Sequence, residues 1–212
     1  MSTLSRLPLP PRIYKRTLRP YRRVKTYVVK NFDPYRDSSL RYMGYANEVG
    51  EALESFLPDW GLPASYTVAI SYVLFDTLDK GEKAFAAAPK EEKIKEAAIT
   101  SIDTFTWQLL ASVFWPGGVI RCVVNIIELL QEKMGYHQPY VPTIVGILMI
   151  PMIVRPIDEA VDSIMEKSIS RIIRGEIKCD EDKIAAIWSA MGSFSFAPVL
   201  YSIASVLKKF HN

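Results

Sequence analysis

The chain has 212 residues, 49% of them hydrophobic, and a mean hydropathy of +0.08, which is low for a protein built largely of membrane-spanning helices. This length supports one domain with a substantial core and leaves little room for two. Two cysteines and two histidines stand apart without the spacing of metal ligands, so we expect no zinc site, no disulfide framework and no cofactor.

Charge is concentrated at the N-terminus, where residues 1–32 carry nine basic groups and no acid. Because the whole chain carries +3, removing those nine charges leaves residues 33–212 at −6. An Arg-rich, acid-free segment is typical of a mitochondrial import signal, since a potential negative on the matrix side draws positive charge inward. We therefore predict that residues 1–34 form a basic, disordered arm that acts as an import signal. Lipid contact without cleavage and nucleic-acid binding are the alternatives, and we expect no nucleic-acid partner.

Four uncharged windows follow the arm, at residues 62–75, 104–120, 138–154 and 184–207. A spanning helix needs about 20 mostly apolar residues, and about 17 is near the lower limit. The last window meets this length, the middle two meet it marginally, and the first is short. Their internal prolines fit spans, where neighbouring helices satisfy the freed backbone groups. The windows predict membrane spans, with the core helices of a soluble bundle as the alternative.

The segment before the first window combines small and polar residues. Gly50 stands four residues after Ala46, the small-xxx-small spacing that lets helices approach closely, and Gly44 lies just before this pair. We predict a helix contact here, with Asn47 and Glu48 forming hydrogen bonds across it. A surface helix that tolerates glycine is the alternative.

Acidic residues mark the end of the first window. Asp76 and Asp79 share a helix face, and Lys80 follows Asp76 by four residues. This spacing predicts an ion-paired polar end to the span, with Gly81 as the helix C-cap. Paired carboxylates also serve in general acid–base catalysis, but no nucleophile or metal ligand stands near them in the sequence.

The second window lies between Asp103 and Arg121. Asp103 is predicted to cap the N-terminus of an apolar helix, and both charges are predicted to lie at span ends or helix contacts. Trp107 and Trp115 stand eight residues apart on one helix face. This spacing fits either anchoring at the membrane interface or ordinary aromatic packing.

Prolines and a charged pair follow the third window. Pro151 and Pro156 are predicted to bend or end the span, with Arg155 at its mouth and Asp158 just beyond. Apolar residues then recur at spacings of three and four over 157–173, which predicts an amphipathic helix. This helix either lies on a membrane surface or packs against the spans.

No stretch shows the sustained alternation of a strand, so the sequence predicts an all-α fold. We expect a multi-pass membrane helical bundle at 35–174 and a C-terminal extension at 175–212 with a possible additional span at 184–207. The motifs GxGxxG, GxxxxGK[ST], HExxH and GxSxG do not occur, and we predict that the protein is not an enzyme.

Four segments together resemble the mitochondrial fission process protein family. They are RYMGYANEVGEA at 41–52, SYVLFDTLDKGEKA at 71–84, DTFTWQLLASVFWPGGVIR at 103–121 and IPMIVRPIDEAVD at 150–162. The match keeps their order and spacing over roughly residues 35–174, about two-thirds of the chain. The resemblance implies an integral protein of the mitochondrial inner membrane that promotes division and influences apoptosis, and the family has no established catalytic residues to carry over.

The expected partners are therefore the lipid bilayer and either other inner-membrane proteins or a second copy of the chain. A carrier or channel for ions or small solutes is the second hypothesis, because ionisable residues within spans are often functional. In that case Asp76, Asp79 and Asp103 would line the path.

Overall fold

In a computed structural model the chain is described over residues 32–136, 138–177 and 180–209. Within these ranges it is helical and contains no strand, which confirms the all-α prediction. Most of the predicted basic arm, residues 1–31, lies outside the described residues. The elements in chain order are α1 (Pro34–Asp37), a first 3₁₀ helix (Ser39–Tyr45), α2 (Ala46–Ala52), a second 3₁₀ helix (Glu54–Phe56), α3 (Gly61–Ala87), α4 (Lys93–Gln108), a π-helical segment (Leu109–Phe114), α5 (Trp115–Lys133), α6 (Tyr140–Lys167), α7 (Ile169–Ile173) and α8 (Asp180–Lys209).

Two side-chain caps start the first short helices. The Asp33 carboxylate accepts a hydrogen bond from the Tyr35 N–H at 3.1 Å, and Pro34 opens α1, where its missing N–H costs no helical bond. The Ser38 hydroxyl accepts from the Leu40 N–H at 3.1 Å and starts the first 3₁₀ helix. The chain therefore turns twice within a few residues before it enters the bundle.

Glycines end two of the later helices. Gly135 follows α5 with φ of 64°, a left-handed conformation that glycine adopts without a side-chain clash. The Tyr136 N–H then donates to the Gln131 carbonyl at 2.9 Å, as in a Schellman motif. Gly175, with φ of 63°, ends α7 in the same way.

The predicted C-cap at Gly81 is wrong, because α3 continues to Ala87. Gly81 lies instead where α3 packs along α4, and a Cβ added to it would lie 2.3 Å from the Ser101 Oγ. The glycine is therefore explained by a close helix approach and not by a helix end.

The predicted N-cap at Asp103 is also wrong. Helix α4 begins at Lys93, ten residues earlier, so Asp103 lies inside the helix. Helix α4, the π-helical segment and α5 form one continuous helix of 41 residues, Lys93–Lys133. This helix and Tyr140–Ile173, of 34 residues, are the two in the described part of the chain that are long and apolar enough to cross a membrane. They contain the windows 104–120 and 138–154, the latter from residue 140 onward.

Helix α6 contains both Pro151 and Pro156 and continues to Lys167, so neither proline ends it. The predicted amphipathic stretch 157–173 forms the second half of α6 and the short α7. Its inward residues belong to the hydrophobic core. Of the two predicted alternatives, the membrane surface and packing against the bundle, the structure therefore shows packing against the bundle. The core comprises Tyr45, Trp107, Leu110, Ala111, Ile120, Ile150, Ile153, Val154, Ile157, Val161, Met165 and Ile169. Helix α5 packs against both α6 and α8, and α2 packs against α3.

Candidate functional site: a buried polar network

Arg41 is the centre of a buried polar network. The 3₁₀ helix that follows the Ser38 cap places Arg41 inside the bundle, where it is 2% exposed. Its Nε donates to Asp158 Oδ2 at 2.9 Å and its Nη2 to Asp158 Oδ1 at 2.6 Å, the bidentate geometry of a strong charge-assisted pair. Burial disfavours the charged guanidinium, but the hydrogen bond to Asp158 and the electrostatic interactions with Tyr45, Asp158 and Tyr72 together outweigh it, and the pKa of Arg41 is raised above its ordinary value.

The π-helical segment Leu109–Phe114 frees a backbone acceptor for this network. The Trp115 N–H donates to the Leu110 carbonyl five residues earlier, as a π-helix requires. The next residue, Pro116, has no N–H. The Ala111 carbonyl therefore lacks the π-type backbone donor that would otherwise satisfy it.

Two side chains replace that donor. Arg41 Nη2 donates to the Ala111 oxygen at 3.1 Å, and the Tyr45 hydroxyl donates to the same oxygen at 3.2 Å. Tyr45 and Ala111 are both fully buried, so an unsatisfied carbonyl here would be costly. The first 3₁₀ helix is thus fixed to the irregular part of the long helix.

Hydrogen bonds continue from Arg41 into α4 and α3. Arg41 Nη1 donates to Ser112 Oγ at 2.9 Å, and Ser112 Oγ donates to Gln108 Oε1 at 2.6 Å. Gln108 Nε2 then donates to Asp76 Oδ2 at 2.6 Å. Ser112, Gln108 and Asp76 are all fully buried, so this chain of bonds crosses the interior of the bundle.

Lys80 closes the network at its other end. Its Nζ donates to Asp76 Oδ1 at 3.0 Å and to Asp33 Oδ1 at 2.8 Å. Burial lowers the pKa of Lys80, but the two carboxylates more than offset this effect and raise the pKa above its ordinary value. The network therefore joins the N-terminal turn, α3, the long helix and α6 through matched charges, and its chemistry is that of a structural connection between helices.

A second polar contact joins α4 to α6 and α7. The Ser170 hydroxyl donates to the Asp103 carboxylate, and Trp107 Nε1 donates to Asp162 Oδ1 at 3.0 Å. The Arg36 guanidinium lies 3.7 Å from the centroid of the Trp107 ring. Trp107 is thus a packed helix contact, and it is 4% exposed.

Gly44 and Gly50 both lie at close approaches. A Cβ added to Gly44 would come within 2.9 Å of Arg41 Nη1, which holds the network, and one added to Gly50 would lie 1.9 Å from Ser65 Oγ. Both positions therefore leave no room for a side chain without movement of the neighbour. Their role in helix contact stays a prediction.

Two carboxylates of α2, Glu48 and Glu51, lie near Arg121 of α5. Glu51 accepts from the Tyr66 hydroxyl and pairs with Arg121. Asn47 Nδ2 donates to Glu48 Oε1 at 2.7 Å, so this bond stays within α2 instead of crossing between helices as predicted. Burial, and secondarily the charge of Glu51, raises the pKa of Glu48 to about 8, although Asn47 and Arg121 oppose the shift.

The remaining predicted residues lie outside the network. Asp79 borders the network, because its Oδ2 lies 3.6 Å from Lys80 Nζ, and it accepts from Lys83 Nζ at 2.6 Å. The Arg155 side chain is exposed. The network unites three of the predicted residues, Asp76, Lys80 and Asp158.

Arg41, Gln108 and Ser112 were not predicted from the sequence. Gln108 and Ser112 are polar residues four apart inside an uncharged window, a spacing that signals a shared partner on one helix face. Arg41 opens the 41–52 motif, but its partner Asp158 lies 117 residues away, and no local pattern connects them.

Comparison with known proteins finds several relatives of this chain. It is 42% identical over 147 residues to Mitochondrial fission process protein 1 of Homo sapiens, covering 66% of this chain and 87% of the relative. The same protein of Danio rerio is 40% identical over 148 residues, covering 68% of this chain and 90% of the relative. That of Caenorhabditis elegans is 38% identical over 146 residues, covering 66% and 88%. No protein-family model matches the chain, and no solved structure does.

These relatives confirm the family resemblance predicted from the four segments. The identity exceeds one-third with each, and the chain covers most of the length of each relative. The chain therefore belongs to the mitochondrial fission process protein 1 family.

Proposed function

We propose that the protein is an integral, multi-pass protein of the mitochondrial inner membrane that promotes mitochondrial division and thereby influences apoptosis. It would act by organising the membrane or partner proteins and not by catalysis. The role in division follows from the name that the relatives share. The observation that carries the membrane placement is the outward apolar surface of the two long helices.

That surface is larger than a soluble core helix would leave. Only 39% and 33% of the most apolar stretches of the two long helices are buried inside the protein. On α6, Ile144, Leu148 and Met152 form an outward stripe at four-residue spacing and are 50%, 60% and 68% exposed. A continuous apolar surface of this kind needs a cover, and lipid supplies one.

The positions of the charges support two further spans, in α3 and α8, beyond the two helices that have the length and hydropathy of a span. The charged second half of α3 packs along α4, whose first half is charged, and the two are joined by the short connection 88–92. The charged second half of α6 lies at this same end, since Asp162 bonds to Trp107 and Ser170 bonds to Asp103. Uncharged stretches of α3, the long helix, α6 and α8 then lie side by side, and each is placed within the bilayer.

Lysine content supports the orientation. The α3–α4 connection, residues 88–92, contains Lys90, and Lys93 and Lys95 follow in the first turn of α4, whereas the α5–α6 connection, residues 134–139, contains no lysine or arginine and follows Lys133. Basic residues are enriched in loops on the side of negative membrane potential, which in mitochondria is the matrix. The α3–α4 connection is therefore placed in the matrix and the α5–α6 connection in the intermembrane space.

The carboxylates proposed to line a transport path already have protein partners. Asp76 bonds to Gln108 and Lys80, and Asp103 accepts from Ser170. Asp79 pairs with Lys83. These closed contacts favour an organising role over a carrier or channel.

Alkaline carbonate extraction tests the membrane placement, and two epitope tags test the topology. The protein should stay in the pellet. A tag in residues 88–92 should resist protease until the inner membrane is opened, and a tag after Met134 should be cleaved once the outer membrane is opened. Release into the supernatant, or equal protection of both tags, would contradict the proposal.

Depletion tests the role in division. Cells lacking the protein should contain elongated, connected mitochondria, and the full chain should restore fragmentation and the normal sensitivity to apoptotic stimuli. A chain with Arg41→Met, which breaks the network, should restore less than a chain with the exposed Lys83→Met. Unchanged mitochondrial shape after depletion would argue against the proposal.

A further inference from the structure

The outward face of α6 changes from apolar to charged partway along the helix. Ile144, Leu148 and Met152 are exposed on this face, and Arg155 and Glu159 continue it at spacings of three and four residues. In the described part of the chain, the side chains of Arg155 and Glu159 form no ion pair and no hydrogen bond. Two unpaired charges of opposite sign therefore follow directly on the apolar stripe.

Two contacts with the 41-residue long helix fix the depth of these charges. A Cβ added to Gly146, near the start of α6, would lie 3.3 Å from Val124. Further along α6, Asp162 accepts from Trp107 Nε1 at 3.0 Å. The two helices therefore run in opposite directions, and the charges on α6 lie between the two contacts. With 1.5 Å of rise per residue in each helix, the charges lie at the level of about residues 110–114 of the long helix.

This level is the middle of the part of the bundle that is placed in the bilayer. It is the centre of the uncharged window 104–120. On α3, which the bond from Gln108 to Asp76 aligns with the long helix, Ile70 and Leu74 are exposed at the same level. With the membrane placement proposed above, lipid surrounds the bundle at this depth, and α6 presents two charges there.

Lipid does not cover such charges well. An ionisable side chain in the middle of a bilayer is costly, and it pairs with another charge or faces protein or a water-filled cavity. Asp158, between the two charges on α6, meets this requirement through its bidentate pair with Arg41 inside the bundle. Arg155 and Glu159 are exposed on the outside, so we expect their partners on another protein chain.

A second copy of the same chain supplies both partners. Copies inserted in one membrane share their orientation, so a two-fold axis normal to the membrane makes the two α6 helices parallel. Arg155 of each copy then lies about one helical turn from Glu159 of the other, and the two-fold axis repeats the pair. The face is therefore complementary to itself in charge.

We propose that α6 forms the interface of a two-fold symmetric dimer within the bilayer, in which Arg155 of each copy pairs with Glu159 of the other. The dimer depends on the membrane placement proposed above, and it gives the outward face of α6 a partner. Membrane helices cross at an angle, so the two α6 helices diverge toward Ile144, and lipid covers the rest of the apolar stripe.

Energy transfer between labelled copies in phosphatidylcholine vesicles tests the dimer. Full chains with a donor or an acceptor dye on a C-terminal tag should give transfer that falls when unlabelled chain is added. Arg155→Glu leaves two carboxylates on the face and Glu159→Arg leaves two guanidinium groups, so each variant alone should weaken association by about tenfold or more. Mixed with one another, the two variants should regain the transfer of the unchanged chain, because their faces then carry opposite charges.

Lys95→Glu is the matched control, since Lys95 is an exposed cation on α4, and it should leave the transfer unchanged. The dimer is overturned if the unchanged chain gives no transfer that unlabelled chain suppresses, if the mixed variants stay as weak as each alone, or if Lys95→Glu weakens association equally. Flotation of the same vesicles separates the two proposals. A chain that floats with the vesicles but gives no transfer overturns the dimer alone, and a chain that does not float overturns the membrane placement.

Circular dichroism identifies a variant that does not fold, and Arg155→Gln and Glu159→Gln then carry the test. Each of these substitutions removes both charge pairs of the two-fold dimer, so the double variant should associate no more weakly than either single variant. Losses that add up in the double variant would overturn the pairing.

Discussion

The two polar regions of the bundle differ in how their charges are matched. In the network, Arg41 pairs with Asp158, and Lys80 pairs with Asp76, so each buried charge has a partner of opposite sign. On α2, Glu48 is just as deeply buried, but its donor is a neutral amide. The matched charges connect the helices, whereas burial raises the pKa of Glu48 to about 8 and so keeps this carboxyl group protonated at neutral pH.

Removing the centre of the network should have the largest effect. Arg41→Met leaves the Asp158 carboxylate without its partner and takes one donor from the Ala111 carbonyl. Breaking one side of a buried ion pair costs about 3–5 kcal/mol. We expect a loss of this size in the free energy of unfolding, measured by denaturant titration of the full chain in detergent micelles.

A double variant separates the ion pair from simple packing. Arg41→Met combined with Asp158→Leu removes both charges and should recover part of the stability lost in the single variant, since no unpaired charge is left. A double variant as unstable as the sum of both single variants would show that the pair contributes no coupling.

Much of the fold was predictable because it depends on local patterns. The uncharged windows at 104–120 and 138–154 and the apolar spacing over 157–173 all correspond to helices. Helix ends were less predictable. Asp103 and Gly81 have the chemistry of caps, but packing against neighbouring helices explains both.

The network was only partly predictable, because sequence spacing reports neighbours along one helix. The pairing of Asp76 with Lys80 is an i,i+4 contact and follows from the sequence. The pairing of Arg41 with Asp158 joins segments 117 residues apart and depends on how the helices pack. The acceptor at Ala111 depends further on a π-helical segment, which no simple periodicity predicts.

Two glycines, one near each region, test close packing without a change of charge. In Gly50→Ala, on the same helix as Glu48, the new Cβ would lie 1.9 Å from Ser65 Oγ and 2.5 Å from Ser65 Cβ. In Gly81→Ala, beside Lys80, it would lie 2.3 Å from Ser101 Oγ but 3.6 Å from Ser101 Cβ. Each variant should cost about 1–3 kcal/mol of unfolding free energy in the same denaturant titration.

A second substitution at the neighbouring serine should restore the stability of one glycine variant and not of the other. Ser101→Ala removes the clashing oxygen and should restore Gly81→Ala, whereas Ser65→Ala leaves the clashing Cβ and should not restore Gly50→Ala. Rescue of both, or of neither, would show that the helices adjust their spacing independently of these contacts.

The pH dependence of stability tests the unmatched carboxyl of Glu48. Its pKa rises from 4.5 to about 8 on folding, so between these values the folded protein holds a proton that the unfolded chain releases. The free energy of unfolding contributed by this group should therefore fall as the pH rises from about 4.5 to 8. Glu48→Gln should flatten the unfolding free energy over this range, measured at several pH values. A slope equal to that of the unchanged protein would assign the pH dependence to other groups.

The smallest effect should come from an exposed pair that copies the geometry of a buried one. Lys80 and Lys83 each pair with an aspartate four residues earlier on α3, but the Lys80 side chain is 9% exposed and the Lys83 side chain 60%. Solvent screens the exposed pair, so Lys83→Met should change the free energy of unfolding by about 0.5 kcal/mol or less. Lys80→Met, the same substitution, should cost several times more because it leaves the fully buried Asp76 without its cation. Equal losses in the two variants would mean that spacing along the helix, and not burial within the network, determines what these pairs contribute.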